Sequence, residues 1–309
     1  MPDLIGLYRN LFRHDEWNIG IVSEHISAFL EPRHVPRIVW FPLRERGKYF
    51  ADPFAIYRDD KLFILCEEFD YSKFKGRIVS IELGGAPFTT LSFKVAIELP
   101  IHVSYPYLLE HNGAVFCIPE TAEAREISIY KAEDFPGGWK KVATLVDDLP
   151  GVDSSLFQYG GRWWLTCTND DQGWSKLFVW YSDELFGPWR AHAANPVKTS
   201  IHSSRPAGTP FVHEGTLFRP AQDCSKTYGG RVVINRVYKL TPTEFSEEEI
   251  ASVGPEISAP YSNGLHTLSA AGIYTLVDAK RLRFNANGFK QGLAANLRKA
   301  SNSIKHGPF

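Results

Sequence analysis

Short apolar runs separated by paired turn residues recur along the middle of this chain, and the recurrence has a period. Five times a polar or proline-marked opening leads into an apolar strand, a tight turn and a second apolar strand. The copies are Asp52–Glu68, Tyr105–Glu120, Asp153–Thr168, Arg205–Asp223 and His266–Asp278. Their opening residues, at 52, 105, 153, 205 and 266, lie 53, 48, 52 and 61 positions apart. The turns are Asp59-Asp60, Asn112-Gly113, Gly160-Gly161, Glu214-Gly215 and Ala271-Gly272, each of a kind that joins two paired strands. Weaker outer strands follow at 76–81, 176–181 and 231–237.

β-rich units of about fifty residues predict an all-β fold, a five-bladed β-propeller with one four-stranded blade per repeat. A two-sheet sandwich is the rival, but it gives no reason for the period. Residues 1–50 precede the first repeat and are expected to supply a closing strand near Trp17–Val22, which would remove the exposed sheet edges. Residues 281–309 carry Arg281, Arg283, Lys290, Arg298, Lys299 and Lys305, and read as a basic tail or a short packing helix. Attachment of this stretch to an anionic lipid or glycan surface is the other reading. No linker divides the chain, so residues 1–309 are expected to form one domain.

Composition narrows the function. With 34 Lys+Arg against 35 Asp+Glu, nothing calls for a nucleic-acid partner. No apolar run reaches about 18 residues, so no transmembrane segment is expected. Cys66, Cys117, Cys167 and Cys224 fall in four different repeats without metal spacing. They read as buried free thiols of a cytoplasmic protein. Eight Trp, thirteen Tyr and twenty-one Phe suit sheet packing, with some left over to stack on sugar rings.

A propeller gathers the opening residues around one axis. Asp52, Tyr105, Asp153, Arg205 and His266 then share a funnel with Ser104, Glu120, Ser203, Ser204, Gln222, Asp223, Tyr228 and Asp278. Carboxylates facing one cavity are what glycoside cleavage uses. Asp52 and Asp153 lead because they share a register, although an Asp before Pro or Ser also caps a turn. Glu67 and Glu120 share a later register, and either could pair with an arginine. Arg205 suits a carboxylate, a phosphate or vicinal hydroxyls, or holds Asp52 or Asp153 in an ion pair. His102 and His202 lie three positions before an opening residue, but the histidines show no metal-ligand geometry. Acid–base or hydroxyl-binding roles are expected of them, and neither a metal nor another cofactor. Trp163 and Trp164 point to opposite faces of their strand, so at most one reaches a sugar. Phosphate loops, GxSxG and HExxH are absent.

The stretches ADPF (51–54), SYPYLLEHNGAVFCIPE (104–120), DSSLFQYGGRWWLTCT (153–168), SRPAGTPF (204–211), FRPAQDCSKTYGG (218–230) and GLHTLSAAGIYTLVD (264–278) give the chain a family likeness. It resembles the five-bladed propellers of glycoside hydrolase families 43 and 32. More closely it resembles the N-terminal domain of plant glucosamine inositolphosphorylceramide transferases and their bacterial relatives. The resemblance implies a general base at Asp52 and a pKa-tuning role for Asp153. The family's acid is a glutamate on the fourth blade, where this chain has Arg205. The proton donor is then Asp223 or Glu120, or is missing.

The expected function is a carbohydrate-active enzyme that cleaves or transfers a glycosyl unit in bacterial surface glycan or glycolipid metabolism. Asp52, Asp153, Asp223 and Glu120 would carry catalysis. Arg205, His266, Gln222, Tyr105, Ser104, Tyr228 and Trp163 would hold the sugar, glycan or glycolipid. The alternative is a non-catalytic glycan-binding or scaffolding propeller whose partner is a separate glycosyltransferase or sugar formyltransferase.

Overall fold

The computed structural model describes residues 13–42, 45, 47–85 and 88–284. Five antiparallel sheets form a ring of five blades, named here in chain order. Blade 1 holds Lys48–Arg58, Lys61–Asp70, Lys75–Gly84 and Thr89–Ile97, from axis to rim. Blade 2 holds Ser104–His111, Ala114–Glu120, Glu126–Asp134 and Gly137–Asp147. Blade 3 holds Gly151–Tyr159, Arg162–Asn169 and Gly173–Ser182, the last edged by the short strands Arg190–Ala191 and Lys198–Thr199. Blade 4 holds Phe211–His213, Thr216–Asp223, Arg231–Leu240 and Phe245–Val253. Blade 5 takes Gly264–Ala271 and Tyr274–Phe284 from the end of the described chain, then Arg13–Val22 and Ile38–Trp40 from its beginning.

The turn residues do what their chemistry allows. Asp59 and Asp60, Asn112 and Gly113, Gly160 and Gly161, and Glu214 and Gly215 all sit at positive φ, the backbone of a two-residue turn that matches strand twist. Closure comes from Arg13–Val22, which pairs with Tyr274–Phe284 from Arg13↔Phe284 to Val22↔Thr275. That strand begins earlier than the expected Trp17–Val22. The basic stretch also begins differently: Arg281 and Arg283 lie in the blade 5 strand and bond Glu16, while residues 285–309 lie outside the described residues. Between the blades, apolar faces such as Phe54, Tyr107, Ile118, Leu156 and Leu165 bury one another. The cysteines are unpaired; Cys66, Cys117 and Cys167 are buried and Cys224 is half-buried. Among the described residues no helix is long and apolar enough to cross a membrane.

One irregularity builds the site. The inner strands of blades 1, 2, 3 and 5 lose register between Ala51 and Phe54, Ser104 and Tyr107, Val152 and Ser155, and Leu265 and Thr267. Asp52, Tyr105 and Asp153 occupy these bulges with φ of 52°, 42° and 53°. A bulge leaves its extra residue outside the ladder and re-aims its side chain. Asp tolerates this left-handed backbone, whereas Tyr does so at a cost of about 1 kcal/mol or more. At Tyr105 the surroundings compensate. Its hydroxyl accepts the Gly208 N–H at 2.7 Å and lies 3.0 Å from Ser155 Oγ, so one side chain ties blades 2 and 3 to the segment leading into blade 4.

That segment is irregular too. Pro206 pairs with Ala221 as an isolated bridge, and Gly208 bridges in parallel to Leu268 of blade 5. Gly208 has φ 118°, and a Cβ there would stand 2.0 Å from the Leu268 carbonyl oxygen. Gly208→Ala should therefore cost about 1–3 kcal/mol. Urea denaturation would show this as a lower midpoint at unchanged slope, and an unchanged midpoint would contradict the close approach.

Candidate functional site

A bulged residue has an N–H with no ladder partner, and a buried N–H must find one. Here carboxylates provide it across blade junctions. The Asp52 N–H reaches Asp278 Oδ2 at 2.8 Å, the Tyr105 N–H reaches Asp52 Oδ2 at 3.3 Å, and the Asp153 N–H reaches Glu120 Oε2 at 3.0 Å. The axial acids are thus clasps between neighbouring blades. Asp52 and Asp278 are buried and Glu120 is half-buried, and crowding shifts Asp52 and Glu120. Burial pushes Asp52 up to about 7, with Asp278 and Asp153 adding to the push and His266 opposing it. Burial and Asp153 push Glu120 to about 8 against the pull of Arg205.

On the blade 5 side, His266 Nδ1 lies 2.7 Å from Asp278 Oδ1, and its Nε2 lies 3.7 Å from Asp52 Oδ1. Asp278 Oδ1 also accepts the backbone N–H groups of His266 and Thr267. Burial alone would lower the imidazole pKa, but Asp278 and Asp52 outweigh it and hold His266 above its usual value. Trp17 stacks on the ring at 3.9 Å and 16°. Lys280 Nζ lies 5.2 Å over Trp17, donates to the Tyr228 carbonyl at 2.8 Å and pairs with Asp15 at 3.0 Å.

On the opposite side, Arg205 Nε meets Asp153 Oδ2 at 2.5 Å, and Gln222 Nε2 donates to the same oxygen at 2.8 Å. The guanidinium carbon sits 4.9 Å from the Trp174 ring centre and 5.0 Å from that of Tyr228. The two ring centres lie 5.3 Å apart and Trp174 is 41% exposed, so guanidinium and rings form one three-membered cluster that reaches solvent at Trp174, the mouth of the site.

Asp52, Glu120, Asp153, Arg205, Gln222, Tyr228 and His266 therefore meet around the axis. Ser104 is buried opposite Glu120 in the same hairpin. Three expectations need correction. Tyr105 is fully buried with its hydroxyl committed, so it is a structural plug rather than a sugar ligand. Trp163 packs in the core between blades 2 and 3, edge-on to His111, away from the funnel. Asp223 lies at the rim, 3.4 Å from His202 Nδ1, and accepts the Ser225 N–H. Burial raises its pKa, but Ser225 and His202 outweigh that and lower it, which removes it as a proton donor. Successive strand residues face opposite ways; Gln222 takes the inward place and Asp223 the outward one. Trp17, Trp174 and Lys280 went unassigned by sequence. Trp174 had a signal, being a large aromatic set in the polar run Asn169–Gly173.

Among the described residues, Asp52, His266 and Asp278 are the side chains that converge enough to share a cation, with one donor atom each within 4.8 Å of the others. In this conformation three N–H groups and the imidazole already converge on Asp278.

Residues 44–263 match the family described as "Glucosamine inositolphosphorylceramide transferase 1, N-terminal". The match covers the openings of blades 1 to 4 and stops just before the paired strands that carry His266 and Asp278. The protein named Glucosamine inositolphosphorylceramide transferase 1 in Oryza sativa subsp. japonica is 36% identical over 209 residues, which is 65% of this chain and 28% of that protein. Its Arabidopsis thaliana namesake is 29% identical over 211 residues, 66% of this chain and 27% of its own length. The chain thus spans little more than a quarter of these relatives. Among solved structures, Zg3597, a family 117 glycoside hydrolase of Zobellia galactanivorans, superposes with a TM-score of 0.55 at 15% identity, covering 87% of this chain and 91% of its own. RS223-β-xylosidase superposes at 0.52 with 10% identity, covering 70% and 80%. At such identities the likeness speaks for the propeller fold alone. The matched span takes in most of the chain and the openings of four of its five blades: this chain belongs to the family of glucosamine inositolphosphorylceramide transferase N-terminal domains.

Proposed function

We propose that the axial funnel binds a glycosyl unit of a glycan or glycolipid, and that the propeller presents it to a separate glycosyltransferase or sugar-modifying enzyme. The observation that carries this reading is the mouth, where Trp174, Tyr228 and Arg205 cluster and Trp174 reaches solvent. Aromatic faces suit the C–H face of a sugar, and a guanidinium with two of its five donors engaged suits vicinal hydroxyls or an anionic substituent. Asp52 and Glu120 serve as clasps, and Asp153 is neutralised by Arg205. These ties favour binding over cleavage. The relatives' name supports work on a glycolipid, and a cytoplasmic setting fits the unpaired cysteines.

A second reading has one observation in its favour. Asp52, held up to about 7 beside His266, is poised near neutrality as an acid–base group for cleavage or transfer.

Calorimetric titration with a panel of sugars and nucleotide sugars tests the first reading. Trp174→Ala should weaken binding by roughly 5-fold or more, the loss of about 1 kcal/mol of aromatic contact. An assay for released or transferred sugar tests the second. Turnover by the wild type that disappears in Asp52→Asn, with folding intact, would establish catalysis. Failure of every sugar to bind would remove both readings.

A further inference from the structure

Glu67 and Glu120 hold equivalent places in blades 1 and 2, each paired with the residue just before the bulge, Ala51 and Ser104 respectively. Glu120 spends an oxygen on the bulge N–H of the next blade. In blade 1 that service falls to Asp52, which receives the Tyr105 N–H. Glu67 is thereby released from clasping. It nevertheless stays 5% exposed, and among the described residues its Oε1 has no hydrogen-bond partner. A buried carboxyl oxygen without a hydrogen-bond partner calls for an explanation.

Its surroundings are shaped to keep it in place. His102 Nε2 stands 3.5 Å from Glu67 Oε1, while His102 Nδ1 receives the Gly76 N–H at 2.9 Å. That bond leaves the proton of the neutral ring on Nε2, directed at the carboxyl group. Burial keeps His102 neutral by lowering its pKa, against the pull of Glu123. The third strand makes room, since a Cβ on Gly76 would lie 2.2 Å from Glu67 Oε1 and 2.8 Å from His102 Cε1.

We propose that Glu67 is the carboxyl group that the axial site offers its ligand as a hydrogen-bond donor, with His102 behind it as the positioning residue. This rests on the reading of the funnel as a sugar site: the neutral O–H donates to a hydroxyl or ring oxygen, and no ligand bond breaks. The groups facing Glu67 agree with the assignment. Burial comes first, then the carboxylates of Asp52, Glu120, Asp278 and Asp153, and together they hold Glu67 well above the usual range. The hydroxyls of Tyr49 and Tyr71 complete its titratable surroundings.

The test uses the full chain, the best-binding sugar of the panel, and Glu67→Gln, which keeps a donor of the same shape but cannot ionise. Wild-type affinity should fall about tenfold per pH unit above a midpoint raised well beyond the ordinary glutamate range, and Glu67→Gln should lack that step. His102→Ala should move the midpoint while leaving the carboxyl group in place, and it serves if the Gln variant does not fold. Carbon-13 spectra of labelled glutamates, taken without ligand, should show, besides the signal of Glu120, a second carboxyl that stays protonated well above the ordinary glutamate range and disappears in Glu67→Gln. Binding with an unchanged pH profile in Glu67→Gln, or no such resonance in the wild type, overturns the proposal. A wild type that binds no sugar removes the sugar-site reading instead, which separates the two failures.

Discussion

Arg205→Ala should lower the stability of the fold by about 3–5 kcal/mol, the size of effect seen when one partner of a buried ion pair is removed. Asp153, 3% exposed, would keep only the Gln222 amide and its own charge. Glu120 would lose the cation that offsets its crowding, and so would hold its proton more tightly still. The cause is the stranded carboxylate and not the lost arginine. Arg205→Met combined with Asp153→Leu should therefore recover most of the loss, since apolar replacement of a buried pair is often neutral. Urea midpoints of the three proteins decide the matter. A loss below about 1 kcal/mol in the single variant would mean that water reaches Asp153 and solvates it.

The second large effect is on pH. Asp52 and Glu120 hold their protons up to about 7 and 8 in the folded chain, against ordinary values of 3.8 and 4.5. Between those limits the folded state binds more protons than the unfolded one, so stability falls as pH rises. Each group binds its proton roughly a thousandfold more tightly, on the order of 4 kcal/mol, with mutual coupling keeping the total below the sum. His266 works in the same direction. Its contribution is complete below its ordinary 6.5 and is lost as pH rises through its raised folded value. Glu247, buried against Arg219 and Lys198, works the other way; its contribution is lost as pH falls through its lowered value. The protein should be most stable near pH 5 and melt earlier at pH 8, and thermal scans across that range measure it. A melting temperature that climbs from pH 5 to 8 would show that the axial acids are ionised without penalty.

The ring itself was legible because it rests on local chemistry repeated five times. A turn such as Asn112-Gly113 needs two residues at positive φ, and that demand is written in the sequence. The register of Asp52, Tyr105 and Asp153 was legible for a similar reason, since the residue before each pairs with the residue sixteen positions on: Ala51↔Glu67, Ser104↔Glu120 and Val152↔Thr168. What each residue does there was not. Whether Asp52 or Glu67 takes the Tyr105 N–H depends on how blade 2 docks on blade 1, a matter of orientation between segments. Trp163 and Trp164 differ only in which side of the strand faces a neighbouring blade. Asp223 was misplaced because the inner strand of blade 4 is broken around Pro206 and Gly208, so counting along the repeat no longer maps onto the axis.

The strand that closes the ring also brings the two ends of the described segment side by side. Arg13 and Phe284 are paired neighbours, and Phe284 lies six residues beyond Asp278 on a strand that passes Lys280, which bonds the Tyr228 carbonyl near the mouth. At about 3.3 Å per residue that end of the strand pair stands roughly 20 Å from the axial acids. Any domain or partner tethered there by a short flexible link meets the mouth at an effective concentration in the ~millimolar range. Under the proposed sugar-binding function a weak grip would then be enough, because a tether of that kind turns a rare encounter between three bodies into a frequent one between two.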